Sequence, residues 1–395
     1  MRCRFLHNPN CYPQLGERSK SSSCPNYRGR YWVLRPSMNG GYCMKTTRFL
    51  VLAISILLLL NSSIPPLFAQ APTTPKILFT SSRDGNREIY IMNPDGSEQV
   101  NLTKHPALDQ GAIWSPTGEQ ILFVSNRGDF RPRGTRDLYL MDPDGSDVRR
   151  VFKKKIEAWR TTPTWSPDGK QIAYDQWDFS GGDTTGMYVL TLGEQDPEFT
   201  GMFSQPAWSP DGTEIACSAA QPGLTWLILM NTRTRKHERL LPKKALFSQE
   251  APSWSATGDK LAFVGNKHQK PAILDRDLHN AWAAKDTIFI VNRDGTGLKQ
   301  LVPEDGQAAL YPAVSPNGEE VLYTQQINGR NGRFHIFKVD VNSGIRTQLT
   351  HVAGMPRFGN TGGDWFDPAY ALPVSPQPQL LTTTWGKEKI KQNIQ

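Results

Sequence analysis

The sequence predicts an all-β fold, a six-bladed β-propeller made of four-stranded antiparallel blades. The main indication is a Trp-Ser-Pro-Asp-Gly phrase that recurs along the chain and has its full form at Trp165 and Trp208. The steps from one copy to the next run from 43 to 60 residues. That period fits a propeller blade of four strands better than a helical or leucine-rich repeat.

Six copies of the phrase are present, one for each blade. Three weaker copies begin at Trp114, Trp254 and Val314, and we place a degenerate sixth copy at Tyr370, followed by Val374-Ser-Pro. In each turn Pro has the φ that the second turn position needs, Asp tolerates the third, and Gly accepts the left-handed conformation that follows. We therefore interpret these aspartates as turn residues rather than calcium ligands.

Two short apolar runs follow each of the first five copies, and a further run precedes the first copy. We interpret these runs as the second and third strands of the blades. The second-strand runs cover residues 121–124, 172–174, 215–217, 261–264 and 321–323. The third-strand runs cover residues 89–92, 138–141, 187–190, 227–230, 288–291 and 336–339. They are rich in Ile, Val and aromatic residues, which is typical of strands buried on both faces. No sustained helical period interrupts them, so the fold should be essentially all β.

The first blade has no inner strand at the start of the chain, because its sequence begins with the second-strand run at 77–79. We expect residues 367–370 to supply that strand, so that the two ends of the propeller share one blade and close a ring of six rather than seven. Residues 380–385 would add a further strand or cover an exposed sheet edge. The propeller is thus assigned to residues 76–387 and a tail to residues 388–395.

The first 71 residues have the pattern of a secretory signal that starts inside the sequence. Met44 opens a short basic region, residues 49–60 form an apolar core, and small residues allow cleavage after Ala69 or Ala71. Residues 44–71 are therefore a predicted signal peptide, and residues 1–43 an overlong start or a disordered extension. An uncleaved anchor is the alternative, although the apolar core is short for a bilayer. We expect a periplasmic or secreted protein without stable membrane insertion.

The charge distribution argues against nucleic-acid binding. The formal net charge of +8 comes from residues 1–71, which hold nine basic residues and one acid, Glu17, while the remaining 36 basic and 36 acidic residues balance. A neutral domain has no general attraction to phosphate backbones. We therefore expect a monomer whose partner is a protein or peptide.

Signals for metal binding and nucleophilic catalysis are weak. Cys217 lies within an apolar strand, where cysteine is commonly a small hydrophobic residue rather than a nucleophile. His105 and His351 follow equivalent Leu-Thr endings and His279 lies in an insertion, but no His-x-His or His-Glu-x-x-His spacing occurs. The Gly-x-Ser-x-Gly nucleophile motif is also absent. We expect no cofactor, no metal and no catalytic residue.

The blade sequence resembles a known family. Its elements are Pro-x-Trp-Ser-Pro-Asp-Gly, an Ile-Ala-Phe-like run, the segment 86–97 with its Asn-Pro-Asp-Gly turn, and a closing Leu-Thr. Together they are similar to the blade repeat of TolB-type propellers, over nearly the whole mature chain. The resemblance implies a periplasmic protein of the bacterial envelope that docks a peptidoglycan-associated lipoprotein. TolB proteins have an α/β domain before the propeller, whereas these blades begin near the predicted cleavage site, so the resemblance concerns the propeller.

The meander of each blade decides which loops share an end of the propeller. The turns after the first and third strands lie at one end, the turn face, and the loops after the second and fourth strands lie at the other, the mouth face. Variable loops on a rigid scaffold usually carry binding, and the mouth-face loops are the variable ones. Three of them, residues 127–136, 176–179 and 267–286, are rich in the Arg, aromatic or charged residues typical of binding sites.

Candidate partner-binding residues follow from these loops and from the register of the inner strands. The residue three positions before each repeat Trp, together with its predecessor, should enter the central channel at the mouth face. The mixed sizes and charges at these positions favour an asymmetric pocket over a symmetric ion site. The resulting candidates are Phe130, Arg131, Arg133, Trp177, Phe179, Trp282, Gln205, Glu250, Tyr311 and Asp367.

The sequence therefore predicts a binding scaffold of the cell envelope that carries out no catalysis. The alternative is a propeller enzyme with its site in the channel, a metal-dependent lyase or hydrolase that acts on a saccharide or peptide. Stoichiometric zinc, manganese or iron in the purified protein would favour the enzyme.

Overall fold

The computed structural model describes residues 70–128, 134–179, 185–271, 275–305, 307–327, 333–351 and 359–373. These residues form six four-stranded antiparallel sheets that pack in sequence around a ring, so the predicted six-bladed propeller is confirmed. The predicted signal peptide before residue 70, the tail and residues 380–385 lie outside the described part of the chain.

The first three blades are numbered from the one that closes the ring. Blade 1 contains β1 (Lys76–Ser81), β2 (Glu88–Met92), β3 (Val100–Asn101) and, from the far end of the chain, β24 (Asn360–Phe366). Blade 2 contains β4 (Asp109–Trp114), β5 (Ile121–Ser125), β6 (Asp137–Met141) and β7 (Arg149–Arg150). Blade 3 contains β8 (Ala158–Trp165), β9 (Gln171–Asp178), β10 (Gly186–Thr191) and β11 (Glu198–Gly201).

The other three blades follow in chain order. Blade 4 contains β12 (Ser204–Trp208), β13 (Glu214–Gln221), β14 (Leu224–Asn231) and β15 (His237–Arg239). Blade 5 contains β16 (Ser248–Trp254), β17 (Lys260–Asn266), β18 (Thr287–Asn292) and β19 (Lys299–Gln300). Blade 6 contains β20 (Ala309–Val314), β21 (Glu320–Ile327), β22 (Arg333–Asp340) and β23 (Arg346–Gln348).

The ring closes between the two ends of the chain, as predicted, but the closing strand lies earlier than expected. β24 pairs with β1, and Trp365 faces Ile77 in the register that places Trp114 opposite Ile121 in blade 2. Trp365 is therefore the sixth repeat Trp, and the placement at Tyr370 was wrong. The error arose because Phe-Asp-Pro follows Trp365, whereas Ser follows the other repeat positions.

The predicted second and third strands form the core between blades. Residues 121–124 lie within β5 and residues 138–141 within β6, and both strands are almost wholly buried. Leu122 of blade 2 packs in one cluster with Ile172 and Tyr174 of blade 3. Burial on both faces, between one blade and the next, explains why these runs are continuously apolar rather than alternating.

The Ser-Pro-Asp-Gly turns have the chemistry that the sequence indicates. In blade 3 the Asp168 carboxylate accepts from the Ser166 hydroxyl at 2.6 Å and from the Lys170 amide at 3.0 Å. The Gly169 amide donates to the Ser166 carbonyl at 2.9 Å, and its φ of 69° suits glycine. The aspartate is thus used inside its own turn.

A short helix, α1 (Arg276–Ala283), interrupts the β-structure between β17 and β18 and was not predicted. The Asp275 carboxylate caps it by accepting from the Asp277 and Leu278 amides at 2.8 and 2.9 Å. Its eight residues are too few to give a sustained helical period. Within the described ranges, no helix has both the length and the apolar character needed to cross a membrane.

Candidate functional site

The inner strands begin at the mouth face with a ring of β-bulges. In each blade one bulged residue has a positive φ and stands three positions before the repeat Trp, or before Val314 in blade 6. Positive φ is costly for residues other than glycine, and bulges often re-aim side chains beside functional sites. The six residues, with φ from 46° to 64°, are Gly111, Thr162, Gln205, Ala251, Tyr311 and Gly362.

The sixth member of this ring corrects a prediction. Gly362 holds the position that the sequence analysis gave to Asp367, because the register was counted from Tyr370 instead of Trp365. β24 runs from the mouth face to the turn face and ends at Phe366. Asp367 therefore lies on the turn face and is not a mouth-face residue.

Polar side chains from neighbouring blades bind the amides of several bulges. Thr80 Oγ1 accepts from the Gly111 amide at 3.1 Å, and Thr324 Oγ1 accepts from the Gly362 amide at 2.9 Å. Each bond joins the second strand of one blade to the inner strand of the next. The mouth face is thus fastened by contacts between blades.

Asp175 makes the corresponding contact between blades 3 and 4 with a carboxylate. It accepts from the Gln205 amide at 2.9 Å and from the Thr162 hydroxyl at 2.6 Å, and only 3% of the residue is exposed. Burial raises the pKa of Asp175 to about 7, because its two hydrogen-bond donors offset only part of the lost hydration. This buried acid was not among the predicted candidates, and its position in an apolar run, Ile172-Ala-Tyr-Asp, was the available signal.

Two predicted mouth-face candidates, Gln205 and Glu250, are tied into this network. Gln205 Oε1 accepts from the Ser218 hydroxyl at 2.9 Å and from the Ala251 amide at 3.0 Å, so its side chain joins blades 4 and 5. Glu250 is half-buried and accepts from the hydroxyls of Thr225 and Ser248, both at 3.1 Å. Gln205 is therefore mainly a scaffold residue, whereas Glu250 brings a negative charge to the mouth.

Exposed aromatic rings of blades 3 and 6 lie at the same end of the propeller. Trp177 and Phe179 are 47% and 58% exposed, and Tyr311 at its bulge is 51% exposed. The Phe179 ring meets the Trp159 ring edge-on with centroids 4.9 Å apart, and the Arg136 guanidinium lies 4.2 Å from the Trp159 ring centre. Aromatic and Arg side chains of this kind are favoured anchors at protein interfaces.

Trp282, another candidate, lies on α1 and is half-buried. Its indole N–H donates to the His268 carbonyl at 2.8 Å, and the Asn266 amide group donates to the Trp282 carbonyl at 3.0 Å. These bonds attach the helix to the end of β17. The candidates Phe130, Arg131 and Arg133 lie outside the described residues.

The turn face contains a cavity of about 420 Å³ that the sequence analysis missed. Inner strands of all six blades line it, with the turn prolines around its rim. Asp367 is part of this wall, and the segment after β24 crosses the rim, where the Leu372 amide donates to the Pro116 carbonyl at 3.0 Å. The turn prolines meet around this cavity because the turn phrase recurs in successive blades, so the repeat alone could have predicted it.

Asp364 brings a carboxylate to this cavity. Its Oδ2 accepts from the Trp114 amide at 2.7 Å, which joins blades 1 and 2 on the turn-face side of the ring. Burial raises the pKa of Asp364 to about 7. Asp364 therefore joins two blades near the turn face, as Asp175 joins two blades near the mouth face.

The histidines considered in the sequence do not come together. The His105 ring accepts from the Ala107 amide at 3.0 Å, and burial followed by the charge of Arg127 lowers the pKa of His105. His279 lies against the Trp282 ring on α1, and His351 is exposed. Among the described residues no group of three or more His, Cys, Asp or Glu side chains could hold a metal ion.

Comparison with known proteins agrees with the fold. A family model described as the TolB beta propeller domain matches residues 61–174 and 131–357, which is more than half of the chain. The chain belongs to the TolB β-propeller family. The resemblance inferred from the blade sequence is therefore confirmed at the level of the family.

Individual TolB proteins match parts of the chain. The Tol-Pal system protein TolB of Geobacter sulfurreducens is 38% identical over 52 residues, which are 13% of this chain and 12% of that protein. The crystal structure of TolB from Acinetobacter baumannii superposes with a TM-score of 0.57 at 18% identity, over 73% of this chain and 66% of that one. A putative TolB from Agrobacterium tumefaciens gives a TM-score of 0.51 at 16% identity, over 77% and 100%. These structural likenesses concern the fold.

Proposed function

We propose that this TolB-family propeller is an exported protein of the cell envelope that binds a protein or peptide at its mouth face and catalyses no reaction. The observation that carries the proposal is the group of exposed rings at that face, Trp177, Phe179 and Tyr311. Large exposed aromatic side chains beside charged groups are typical anchors of protein interfaces. Their position on a rigid ring of blades preorganises them for binding.

Two further observations support the cellular setting. The Geobacter relative is named a Tol-Pal system protein. The basic, apolar and small-residue order of residues 44–71 is that of an export signal. Both favour a partner in the envelope rather than a nucleic acid or a cytoplasmic substrate.

Site-specific photo-cross-linking in intact cells tests the proposal. A photoreactive residue replacing Phe179 on the mouth face should cross-link a discrete partner, whereas the same residue at exposed Thr234, in the β14–β15 turn on the turn face, should not. The Trp177→Ala substitution should weaken that partner's binding, by roughly 1–4 kcal/mol for an anchor residue. Cross-linking from Thr234 alone would show that the turn face is the binding face.

Metal analysis of the purified protein distinguishes the proposed binding scaffold from the enzyme alternative. A binding scaffold should contain no stoichiometric transition metal after export. Stoichiometric zinc, manganese or iron, lost together with a measurable lyase or hydrolase activity on chelation, would overturn the proposal.

A further inference from the structure

One position recurs at every boundary between blades on the mouth face. In each blade, the fifth residue of the second-strand run pairs with a residue of the third strand, and the position is the residue just before that partner. In blade 1, Ser81 pairs with Glu88, so the position is Arg87. The equivalent residues in the other blades follow from the same register. In blade order they are Arg87, Arg136, Thr185, Thr225, Asp286 and Phe334.

Backbone bonds place three of these residues beside the inner strand of the next blade. The amides of Asp109, Arg160 and Ala309, each five positions before a repeat position, donate to the carbonyls that precede the third strands. The acceptors are the carbonyls of Arg87, Arg136 and Asp286, at 2.9, 3.0 and 2.8 Å. The charged side chains of this position therefore stand at blade boundaries around the mouth.

The first two boundaries carry positive charge. Between blades 1 and 2 the Arg87 guanidinium donates to Gln110 Oε1 on the inner strand β4. Between blades 2 and 3 the Arg136 guanidinium lies over Trp159 on the inner strand β8. The two guanidinium groups are near enough that the charge of Arg87 adds to the larger effect of burial in lowering the pKa of Arg136.

The acids near these boundaries already make contacts within the scaffold. Glu88, next to Arg87, accepts from the Thr103 hydroxyl and from the His105 amide. Asp109 is paired with Arg127 at 2.6 Å, and Asp137 is paired with Arg160 at 3.0 Å. Both pairs are largely buried, with Asp109 fully so. The Asp109–Arg127 pair lies in blade 2 and the Asp137–Arg160 pair spans blades 2 and 3. In each pair the two charges offset each other, so neither pair offsets the positive charge of Arg87 and Arg136 at the mouth.

The fourth and fifth boundaries carry negative charge. Between blades 4 and 5 the Glu250 carboxylate is bound to hydroxyl groups, those of Thr225 and Ser248. Between blades 5 and 6 the Asp286 carboxylate accepts from the Asn266 amide group at 2.7 Å. Burial raises the pKa of Asp286 to about 6, and the charge of Glu250 adds to that rise, whereas Lys270 lowers it by less. None of the ion pairs formed within the described residues includes Glu250 or Asp286.

The order of the blades places the two positive boundaries and the two negative boundaries on opposite sides of the ring. In a ring of six, the boundary between blades 1 and 2 lies opposite that between blades 4 and 5, and the boundary between 2 and 3 lies opposite that between 5 and 6. Arg87 is thus opposite Glu250, and Arg136 is opposite Asp286. At the recurring position Thr185, Thr225 and Phe334 are uncharged, so the negative charge at the fourth boundary comes from Glu250 on the inner strand of blade 5.

We propose that the mouth binds a peptide segment with opposite charges at its two ends, the acidic end over Arg87 and Arg136 and the basic end over Glu250 and Asp286. The inference rests on the proposed function and specifies the chemistry of its partner. A ligand of one sign would be attracted to one side and repelled by the other, so the arrangement selects both composition and orientation. Exposed Tyr311 of blade 6, which lies between the acidic boundary of blades 5 and 6 and blade 1, provides an apolar contact between the two charged sides.

Fluorescence anisotropy with the full-length exported protein and synthetic peptides of blocked ends tests the proposal. Four peptides of equal length are compared: an aspartate block joined to a lysine block, the same residues in alternation, aspartates alone and lysines alone. The block peptide should bind at least about ten-fold more tightly than the alternating one, since only it matches both sides of the mouth. Equal affinity for the block and alternating peptides would overturn the proposal.

Neutral substitutions on each side sharpen the test and preserve shape. The R87Q/R136Q variant should lose about ten-fold in affinity for the block peptide, and the E250Q/D286N variant should favour the aspartate peptide. The matched control is R233Q/K236Q, which removes two positive charges from the β14–β15 turn on the turn face and should leave every affinity unchanged. Unchanged melting temperatures establish that the variants are folded, and unchanged affinities in R87Q/R136Q would refute the proposal.

Failure of this inference is distinguishable from failure of the proposed function. If R87Q/R136Q retains the cellular partner cross-linked from position 179 while Trp177→Ala releases it, the mouth face binds without bipolar selection. If position 179 cross-links nothing and the block peptide still binds, the charge arrangement stands and the proposed cellular role does not.

Discussion

Asp211 on the turn face and Asp175 within the ring use the same side chain in opposite ways. Asp211 accepts from the Ser209 hydroxyl at 2.6 Å and from the Thr213 amide at 3.0 Å, all within one turn. Asp175 is buried and accepts from Gln205, thirty positions along the chain in the next blade. The hydrogen bonds of Asp211 lower its pKa, whereas burial raises that of Asp175. One aspartate completes a local turn and the other holds two blades together.

The same contrast extends to the two faces. The turn aspartates Asp168 and Asp211 bind only groups of their own turns, so each of these turns depends little on the rest of the ring. Four bulge amides on the mouth face, those of Gly111, Gln205, Ala251 and Gly362, are bound by a side chain of a neighbouring blade, so this face depends on correct assembly. The mouth is accordingly the more sensitive indicator of whether the ring is closed.

Removal of the closing strand should have the largest effect and should damage the mouth most. Truncation after residue 358 deletes β24 and leaves blade 1 with an exposed edge at β1, so we expect insoluble or protease-sensitive protein. Truncation after residue 373 keeps β24 and is the matched control. Comparing solubility, proteolysis and melting of the two forms checks this, and a normal melting temperature without β24 would show that closure is dispensable.

Asp175 should impose a pH dependence on stability. Its folded pKa of about 7 lies above the ordinary value near 4, so the folded state binds the proton more tightly and the free energy of unfolding falls as pH rises from about 4 to about 7. Asp175→Asn should remove this decline and stabilise the protein by roughly 2 kcal/mol at pH 8, with a shrinking gain toward pH 4.

The matched variant for that experiment is Asp211→Asn. Because the pKa of Asp211 is lowered, its charged form stabilises the fold above its unfolded pKa, and that contribution is lost as pH falls through the folded pKa. Denaturant unfolding at several pH values should therefore give slopes of opposite sign for the two sites. Parallel pH profiles would mean that Asp175 remains ionised in the folded protein.

Loss of a single turn carboxylate should have a smaller and strictly local effect. Asp211→Ala removes the acceptor for Ser209 and Thr213 and should lower the free energy of unfolding by roughly 1 kcal/mol. Mouth-face binding by the folded protein should not change. Chemical unfolding measures the first effect, and titration with the block peptide measures the second; a loss of affinity would show that the two faces are coupled.

Relief of strain at one bulge should give the smallest change. Ala251 has a φ of 51°, and glycine there removes about 1 kcal/mol of strain while adding unfolded-state entropy, so Ala251→Gly should be stabilising by about 0.5 kcal/mol. Ala207 is the control, because it lies in the inner strand β12 and is absent from the residues with positive φ. Ala207→Gly should destabilise, and thermal melting of both variants distinguishes strain relief from a general effect of glycine.

Local chemistry made most of the fold predictable. The turn phrase, its period and the apolar runs indicate six blades because each turn is determined by its own five residues. The repeat position of β24 was placed five residues late, at Tyr370, because Phe-Asp-Pro rather than Ser-Pro follows the true repeat residue Trp365. Helix α1 was not predicted because its eight residues are too few to show a helical period.

The binding surface was less predictable because it depends on pairs of residues from different blades. Tyr311 and Glu250 could be placed at the mouth by counting back from the repeat positions. The role of Gln205 as an acceptor for Ala251 could not, since the bond crosses a blade boundary. The opposition of Arg87 and Glu250 needs both the register and the closed ring, and neither is visible from one segment alone.

Pairing of Lys76 with Phe366 also has a consequence for the order in which the protein forms. A ribosome delivers blade 1 first, but that blade waits for its inner strand until almost the last described residues have been synthesised. Contacts that close a loop as long as the whole propeller form slowly. Until they form, the edge of β1 can pair with strands of other molecules. A chaperone that keeps the early blades from pairing with other molecules would therefore matter most just before residues 360–366 are synthesised.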